Sequence, residues 1–311
     1  MVNVPAQPAY SLVERQLSNT DFDEEFNYTP YRDFTGENEE RHYENFMLGD
    51  WAWMQADRIA VDPSMHGSTF VPIILGSDKT TVSVAIGQNN YWPVYLSIGN
   101  THNNVWCAHH NAVELLAFLA IPKAAKKYMD NPLFRRFKKQ QFHAAMTRIL
   151  TSLKAGMMTP QLMKCPDHHL CRIIFGIGPY IADYPEQVLI SGIVQNWCRR
   201  CLAFPNDLDS GGTPQTKEFT DALIDELPLG VIWDEWGVDA NVVPFTDDFP
   251  HADIRQLLAP DILHQLIKGT FKDHLVEWVG KYLELSYGKA GAKERLADID
   301  HCLSATISGA P

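Results

Sequence analysis

The chain lacks any apolar run approaching the roughly eighteen residues that a membrane-spanning helix needs. Its opening residues, Met1-Val-Asn-Val-Pro-Ala-Gln-Pro, carry neither the basic nor the apolar segment of a secretory leader. These absences lead to the expectation of an intracellular, soluble protein with no membrane partner. Cysteine is scarce as well: the six, at positions 107, 165, 171, 198, 201 and 302, are too few and too scattered for a disulfide framework in 311 residues. Metal binding or simple burial remains for them. Positive charge is in deficit, with 26 Lys and Arg against 38 Asp and Glu and a net charge of −12, which argues against a wholly basic nucleic-acid platform. No internal repeat or low-complexity tract is present, and His109-His110-Asn-Ala-Val-Glu114 lacks the H-E-x-x-H order of a zinc protease.

What is present is an ordinary apolar share, 45%, enough for a substantial core. The charge is unevenly spread. Residues 14–50 hold eleven acidic and three basic side chains. Residues 121–150 hold eight basic side chains, among them Lys126, Lys127, Arg135, Arg136, Lys138 and Lys139, against Asp130 alone. That segment could meet a polyanion such as DNA; the plainer alternative is a solvated helix face.

Three regions emerge from the patterning. Residues 1–50 read as an acidic, extended arm that packs only through its aromatics, Phe26, Tyr28 and Tyr31. In residues 51–197, a short helix from Trp51 should end near Asp62-Pro63. Three β-rich runs follow, Phe70 to Leu75, Thr80 to Ile86 and Tyr91 to Ile98, and they suggest an antiparallel meander. Asn111 to Leu119 and Pro132 to Lys154 fit helices, the second with proline at its first position. Leu170 to Phe175 reads as a strand that Gly176 and Gly178 interrupt, and Pro185 opens a helix expected to run to Cys198. Residues 198–311 read as a loop-rich stretch to about 250 and then a long amphipathic helix from Ile262 to Tyr287.

Within this frame Asp78 falls between two strands and Asp183 falls where a strand gives way to a helix. Enzymes that cut or join phosphodiesters with paired Mg²⁺ or Mn²⁺ ions need such strand-edge carboxylates, because the ions must lie about 3.5–4 Å apart. The order of three strands, helices, strand and helix is that of an RNase H-like core, an α/β fold with a mixed sheet and flanking helices. On spacing alone the plainer readings prevail, Asp78 as a turn residue and Asp183 as a helix cap.

Cys198-Arg-Arg-Cys201 has the spacing that brings two thiolates to one zinc ion, with about two further ligands needed from elsewhere. Downstream histidines could supply them, and an idle cysteine pair is the alternative. The compact set Cys165, His168, His169 and Cys171 reads as a surface turn.

Several segments carry a resemblance. Ile73-Ile-Leu-Gly-Ser-Asp78-Lys-Thr-Thr lies within a longer matching stretch from Val71 to Asn100. Phe118-Leu-Ala-Ile-Pro-Lys123, Gly178-Pro-Tyr-Ile-Ala-Asp-Tyr-Pro-Glu-Gln187, Trp197-Cys-Arg-Arg-Cys201 and Ala259-Pro-Asp-Ile-Leu-His-Gln-Leu-Ile-Lys-Gly269 extend it. Together they resemble the Plavaka transposases of fungal mobile elements, within the CACTA and Kyakuja-Dileera-Zisupton group. The resemblance implies a DDE-type DNA transposase, acting in the nucleus on transposon ends and target DNA, with Asp78 and Asp183 as the first two catalytic acids and Mg²⁺ or Mn²⁺ as cofactor. It also implies a largely helical, zinc-stabilised insertion holding Zn²⁺ through Cys198, Cys201 and His264. His274 is a candidate fourth ligand, but ten residues of straight helix set it about 15 Å from His264, so both reach one ion only if the helix breaks at Gly269. Asp261, one turn before His264, is the substitute. The family's last glutamate finds no matching context before Pro311, so the expectation is an incomplete and inactive catalytic centre. The alternative is a non-enzymatic, zinc-stabilised DNA- or protein-binding remnant, and homo-oligomerisation is left open.

Overall fold

The apolar run around Phe70 becomes the middle of a sheet. In the computed structural model, which describes residues 7–36, 39–83, 89–107, 111–207, 209 and 211–308, strand β1 is Thr69–Ser77 and is buried along almost its whole length. A strand covered on both faces needs apolar side chains at successive positions rather than at alternate ones, which accounts for Phe70-Val-Pro-Ile-Ile-Leu75. Strand β2, Pro93–Ile98, runs antiparallel to β1, with Ile73 opposite Ile98 and Ser77 opposite Val94. Strand β3, Glu114–Phe118, is antiparallel to β2. On the other side of β1 the long strand β5, Leu170–Ala182, lies parallel to it, after β4, Gln161–Lys164, has turned back onto its start. A short strand β6, Leu258–Pro260, also pairs with β5. The order across the sheet is β3-β2-β1-β5-β6.

The mixed sheet with flanking helices agrees with the expected α/β class, but several elements differ in detail. Thr80–Ser83 does not join the main sheet; it pairs with Asn89–Tyr91 as a separate two-stranded ribbon. The end of the expected second run, residues 84–86, lies outside the described residues, as do His109 and His110. The third strand of the sheet comes instead from Glu114-Leu-Leu-Ala-Phe118, which reads as helix. Its helix formers are overruled by pairing with β2 and by burial of Leu116 and Ala117. Gly176 and Gly178 do not interrupt β5. A Cβ on Gly178 would lie 3.0 Å from the carbonyl oxygen of Ile73, so glycine lets the two parallel strands stay close where their register shifts.

Residues 1–50 are not an extended arm that packs through aromatics alone. Helix α1, Ala9–Leu17, buries Ala9, Leu12, Val13 and Leu17 completely in the main core. The spacing is helical, but the polar surroundings conceal it. The helix from Trp51 is present as Asp50–Ala60. Helix α2, Pro132–Leu150, begins as expected, with Asn131 capping Leu133 N–H through its side chain, and buries Phe142, Met146, Ile149 and Leu150. Helix α3, Tyr184–Ser191, stops short of Cys198 because Gly192 takes a left-handed conformation, φ 65°, and turns the chain. Between residues 203 and 250, read as loop, lie the helices Lys217–Glu226 and Leu229–Trp236.

The chain forms two compact units, Met1–Ala259 and Pro260–Pro311. The division thus falls well after the boundary expected at residue 198, so the cysteine pair belongs to the first unit. In the second unit Leu263–Val276 is wound as a π-helix and runs into helix α4, Glu277–Ser308, which is kinked at Gly288, φ 70°. The helix passes through Gly269 without the break that would bring His264 and His274 together.

Candidate active site

The two aspartates singled out by the sequence come together through the sheet. Gly76 on β1 is paired with Ile181 on the parallel strand β5. Asp78 and Asp183 each follow two residues later, where both strands end. Neighbouring strands lie about 4.8 Å apart, so the register brings the two carboxylates to the same edge of the sheet. This is the carboxyl end of parallel strands, the place where open α/β sheets hold ligands.

Each aspartate also has a local task. Asp78 is exposed, and its Oδ2 accepts a hydrogen bond from Thr80 Oγ1 at 3.0 Å. Asp183 caps α3: its Oδ1 accepts from Glu186 N–H at 2.9 Å. Among the described residues, Oδ1 of Asp78 and Oδ2 of Asp183 have no hydrogen-bond partner.

Between and behind them lies a carboxyl that sequence reasoning missed. Glu186 is buried, only 7% exposed. Ser77 Oγ donates to its Oε2 at 2.6 Å, and Tyr180 OH donates to the same serine oxygen at 2.8 Å. Oε1 of Glu186 is buried with no hydrogen-bond partner among the described residues. Burial pushes the Glu186 carboxyl up to about 7, the Ser77 hydrogen bond draws it back in part, and the charges of Asp183 and Asp78 push it further up. The spacing Asp183-x-x-Glu186 was the available signal. A glutamate at that position normally reaches back to the capping residue's N–H; here it turns to Ser77 on the neighbouring strand instead.

The basic candidates lie on two successive elements of the first unit, a 3₁₀ turn and α2. Lys126 and Lys127 are exposed on a short 3₁₀ turn, Lys126–Tyr128. Arg135, Arg136, Lys138 and Lys139 lie in the first half of α2. They are not equivalent. Lys139 Nζ is tied to Asp239 Oδ2 at 2.6 Å, and Arg135 pairs with Asp130 at 2.8 Å. Lys138 rests over the Phe134 ring at 5.2 Å and Lys127 over the Tyr128 ring at 4.7 Å.

The metal candidates divide between the units. Cys198 and Cys201 have their sulfurs 3.2 Å apart. Burial resists ionisation of Cys198, but the Arg200 and Cys201 N–H groups, the Cys201 thiol and the Arg199 guanidinium together bring its pKa below that of an ordinary thiol; burial and the neighbouring Cys198 raise that of Cys201. In the second unit Asp261 Oδ2 and His264 Nδ1 are paired at 2.6 Å, and His274 lies beside the Trp278 ring. The pairing with Asp261 is that of a carboxylate orienting an imidazole. Among the described residues no three His, Cys, Asp or Glu side chains gather in a way that could hold a metal ion. Cys165 and Cys171 sit at the hairpin between β4 and β5; the turn is there, with His168 and His169 exposed, but Cys165 is fully buried in the core rather than at the surface.

A comparison with curated proteins finds no match. The sequence model of the family described as Plavaka transposase, by contrast, matches residues 2–279, nearly the full length over which the sheet, the paired aspartates and the cysteine pair are laid out, and the chain therefore belongs to the Plavaka transposase family.

Proposed function

We propose that the first unit is the RNase H-like core of a DDE-type DNA transposase, with Asp78 and Asp183 as its first two catalytic acids. The observation that carries this reading is the register of β1 and β5, which ends two parallel strands on aspartates side by side. The strand order β3-β2-β1-β5-β6, with β2 antiparallel to its neighbours and β5 parallel to β1, supports it. The donor set also fits a divalent cation such as Mg²⁺ or Mn²⁺. Hard oxygen ligands suit it, and the two aspartates at one sheet edge supply two carboxylates, while Glu186 is tied to Ser77 and does not complete a three-ligand cluster with them. A bound pair of such ions supplies the means to activate water or a 3′-hydroxyl for attack on a phosphodiester. Asp78 and Asp183 would hold them, and the Tyr180-Ser77-Glu186 chain keeps the third carboxyl in place. The exposed cations Lys126, Lys127 and Arg136 and the half-buried Lys138 are then the phosphate contacts, and the work on DNA belongs in the nucleus.

Zinc at Cys198 and Cys201 is retained in the proposal. Their sulfurs already face each other, and the lowered Cys198 favours the thiolate that zinc requires. Metal analysis of the purified chain should give about one zinc, lost in a Cys198→Ser/Cys201→Ser variant; a folded protein without zinc removes the site.

The second reading is a DNA- or protein-binding descendant without chemistry. It draws on the local roles of both aspartates, which would hold the turn and the cap whether or not an ion is bound. Asp183→Asn separates the two. Asparagine caps helices as well as aspartate, so folding stability should change by no more than about 0.5 kcal/mol. Under the catalytic reading Mn²⁺ binding, followed by calorimetry or paramagnetic resonance, weakens at least tenfold in Asp183→Asn and in Asp78→Asn. Unchanged Mn²⁺ binding in both would leave the non-enzymatic reading standing. Nicking of supercoiled DNA in Mn²⁺ supplies the activity test.

A further inference from the structure

Next to Asp78 the structure holds a cavity of about 310 Å³ that neither the aspartates nor the cysteine pair accounts for. Its floor is aromatic: the Trp92 indole and the Phe142 ring are stacked, centroids 5.3 Å apart and planes 28° apart. Ile121 and Pro122 form an apolar wall, and the first half of α2 forms the other side. Cations line the rim. Lys79, the residue immediately after Asp78, has its ammonium 6.0 Å from the centre of the Trp92 ring, and Lys138 and Arg135 face it from α2. Two polar groups in the lining are buried and unpaired among the described residues, the amide oxygen of Gln141, which is an acceptor, and the indole N–H of Trp92, which is a donor.

A merely structural cavity would be apolar throughout, or filled. This one combines a flat aromatic surface, an unpaired acceptor and a positive rim, and each has a counterpart in a single nucleotide. The base stacks, its exocyclic amine or ring N–H meets Gln141, and its phosphates meet Lys79 and Lys138. Duplex DNA cannot offer a base face to such a floor, whereas an unpaired nucleotide can. Lys79 sets the distance: a strand whose phosphate it contacts passes directly beside Asp78. We infer that this cavity receives the base of one unpaired nucleotide in a DNA strand and so positions that strand at the paired aspartates. The inference rests on the DNA-transposase reading and adds to it a site for an extruded base, beside the metal carboxylates but lined by other residues.

The test compares two fluorescein-labelled duplexes, identical except that one carries a single unpaired thymidine, by anisotropy with the full chain at low salt. Stacking of one base leads to about tenfold tighter binding of the unpaired duplex. Trp92→Leu and, independently, Ile121→Trp, which fills the cavity, should each bring the ratio close to one while leaving affinity for the paired duplex unchanged. Lys79→Ala should weaken both duplexes. Equal affinity of the unaltered chain for the two duplexes overturns the inference while leaving the transposase reading intact. A preference that survives in whichever of Trp92→Leu and Ile121→Trp folds overturns it too. Failure to bind either duplex removes both readings.

Discussion

The first unit and the second use apolar residues in opposite ways. In α2 of the first unit Phe142, Met146, Ile149 and Leu150 are buried in the main core, and only Leu133 and Phe137, nearer its start, stay exposed among its large apolar side chains. In the second unit helical winding leaves Leu266, Phe271, Trp278 and Leu285 between 56% and 89% exposed, and among the described residues only Leu283 and Ala292 are buried apolar side chains. Both are helical; the surroundings differ. A helix gains from its apolar stripe only what a neighbouring surface takes out of water, and in the first unit that surface is a sheet whose own strands are apolar at successive positions.

The sharpest way to break this contrast is to truncate one leucine in each unit. Leu75→Ala, at a position 1% exposed in the middle of β1, should cost about 3–5 kcal/mol in denaturant unfolding. Leu285→Ala, at 89% exposure, should stay within about 0.5 kcal/mol. Comparable losses at both sites would show that the helices of the second unit have a hidden partner in solution.

A second pair of changes sharpens the description of the first unit's interior, where two titrating groups are buried with opposite consequences. His143 is neutral. Its Nε2 donates to the Leu189 carbonyl at 3.2 Å, its Nδ1 accepts from Phe245 N–H at 3.1 Å, and burial, helped by Lys139 and opposed by the Leu189 bond, brings it down to about 4. The unfolded chain then binds the extra proton between about pH 6.5 and 4, so stability is full above pH 6.5 and is lost as pH falls through that window. Glu186 acts in reverse. With its folded value at about 7, the native state holds the extra proton, so stability falls as pH rises from the ordinary carboxyl range to about 7. Each effect is on the order of 3 kcal/mol, and over their shared window the two largely cancel. In metal-free protein the unaltered chain should therefore show a shallow pH profile from these groups. His143→Gln should leave a profile that falls with rising pH, and Glu186→Gln one that rises. Profiles of the same sign in both variants would contradict the assignment.

The smallest effect concerns the hydroxyl chain behind the aspartates. Tyr180→Phe removes the donor to Ser77 Oγ in a fully buried position, at a cost of about 1–2 kcal/mol in thermal or denaturant unfolding. A loss no greater than that of an exposed tyrosine, such as Tyr43→Phe, would show that the chain carries no weight.

How much of this was legible in the sequence depends on the distance over which each feature is decided. α2 and the helix at Asp50–Ala60 are set by local signals, a proline at the first turn and a terminating Asp-Pro, and both were readable. β3 was not, because Glu114-Leu-Leu-Ala-Phe118 favours helix until β2 offers it hydrogen bonds. α1 was readable in its spacing but hidden in an acidic, turn-rich stretch. For the candidate site, placing Asp78 and Asp183 at strand ends followed from strand and helix signals alone, whereas their adjacency required the parallel register of strands about a hundred residues apart. Glu186 shows the limit. Its capping spacing is visible in the chain, but its burial and its turn toward Ser77 depend on β1 lying next to β5.

Under the proposed catalytic reading Asp183 has a double duty, and this has a consequence for how copies of such a gene decay. A carboxylate that also caps a helix is protected by folding itself: replacing it with alanine removes the cap and costs about 1 kcal/mol even when no reaction is at stake. Asp78, exposed and among the described residues bonded only to its neighbour Thr80, has little such protection. In a lineage released from selection for transposition but still selected for a folded product, Asp78 should drift first and Asp183 last, so among sibling copies it is the state of position 78 that dates the loss of chemistry.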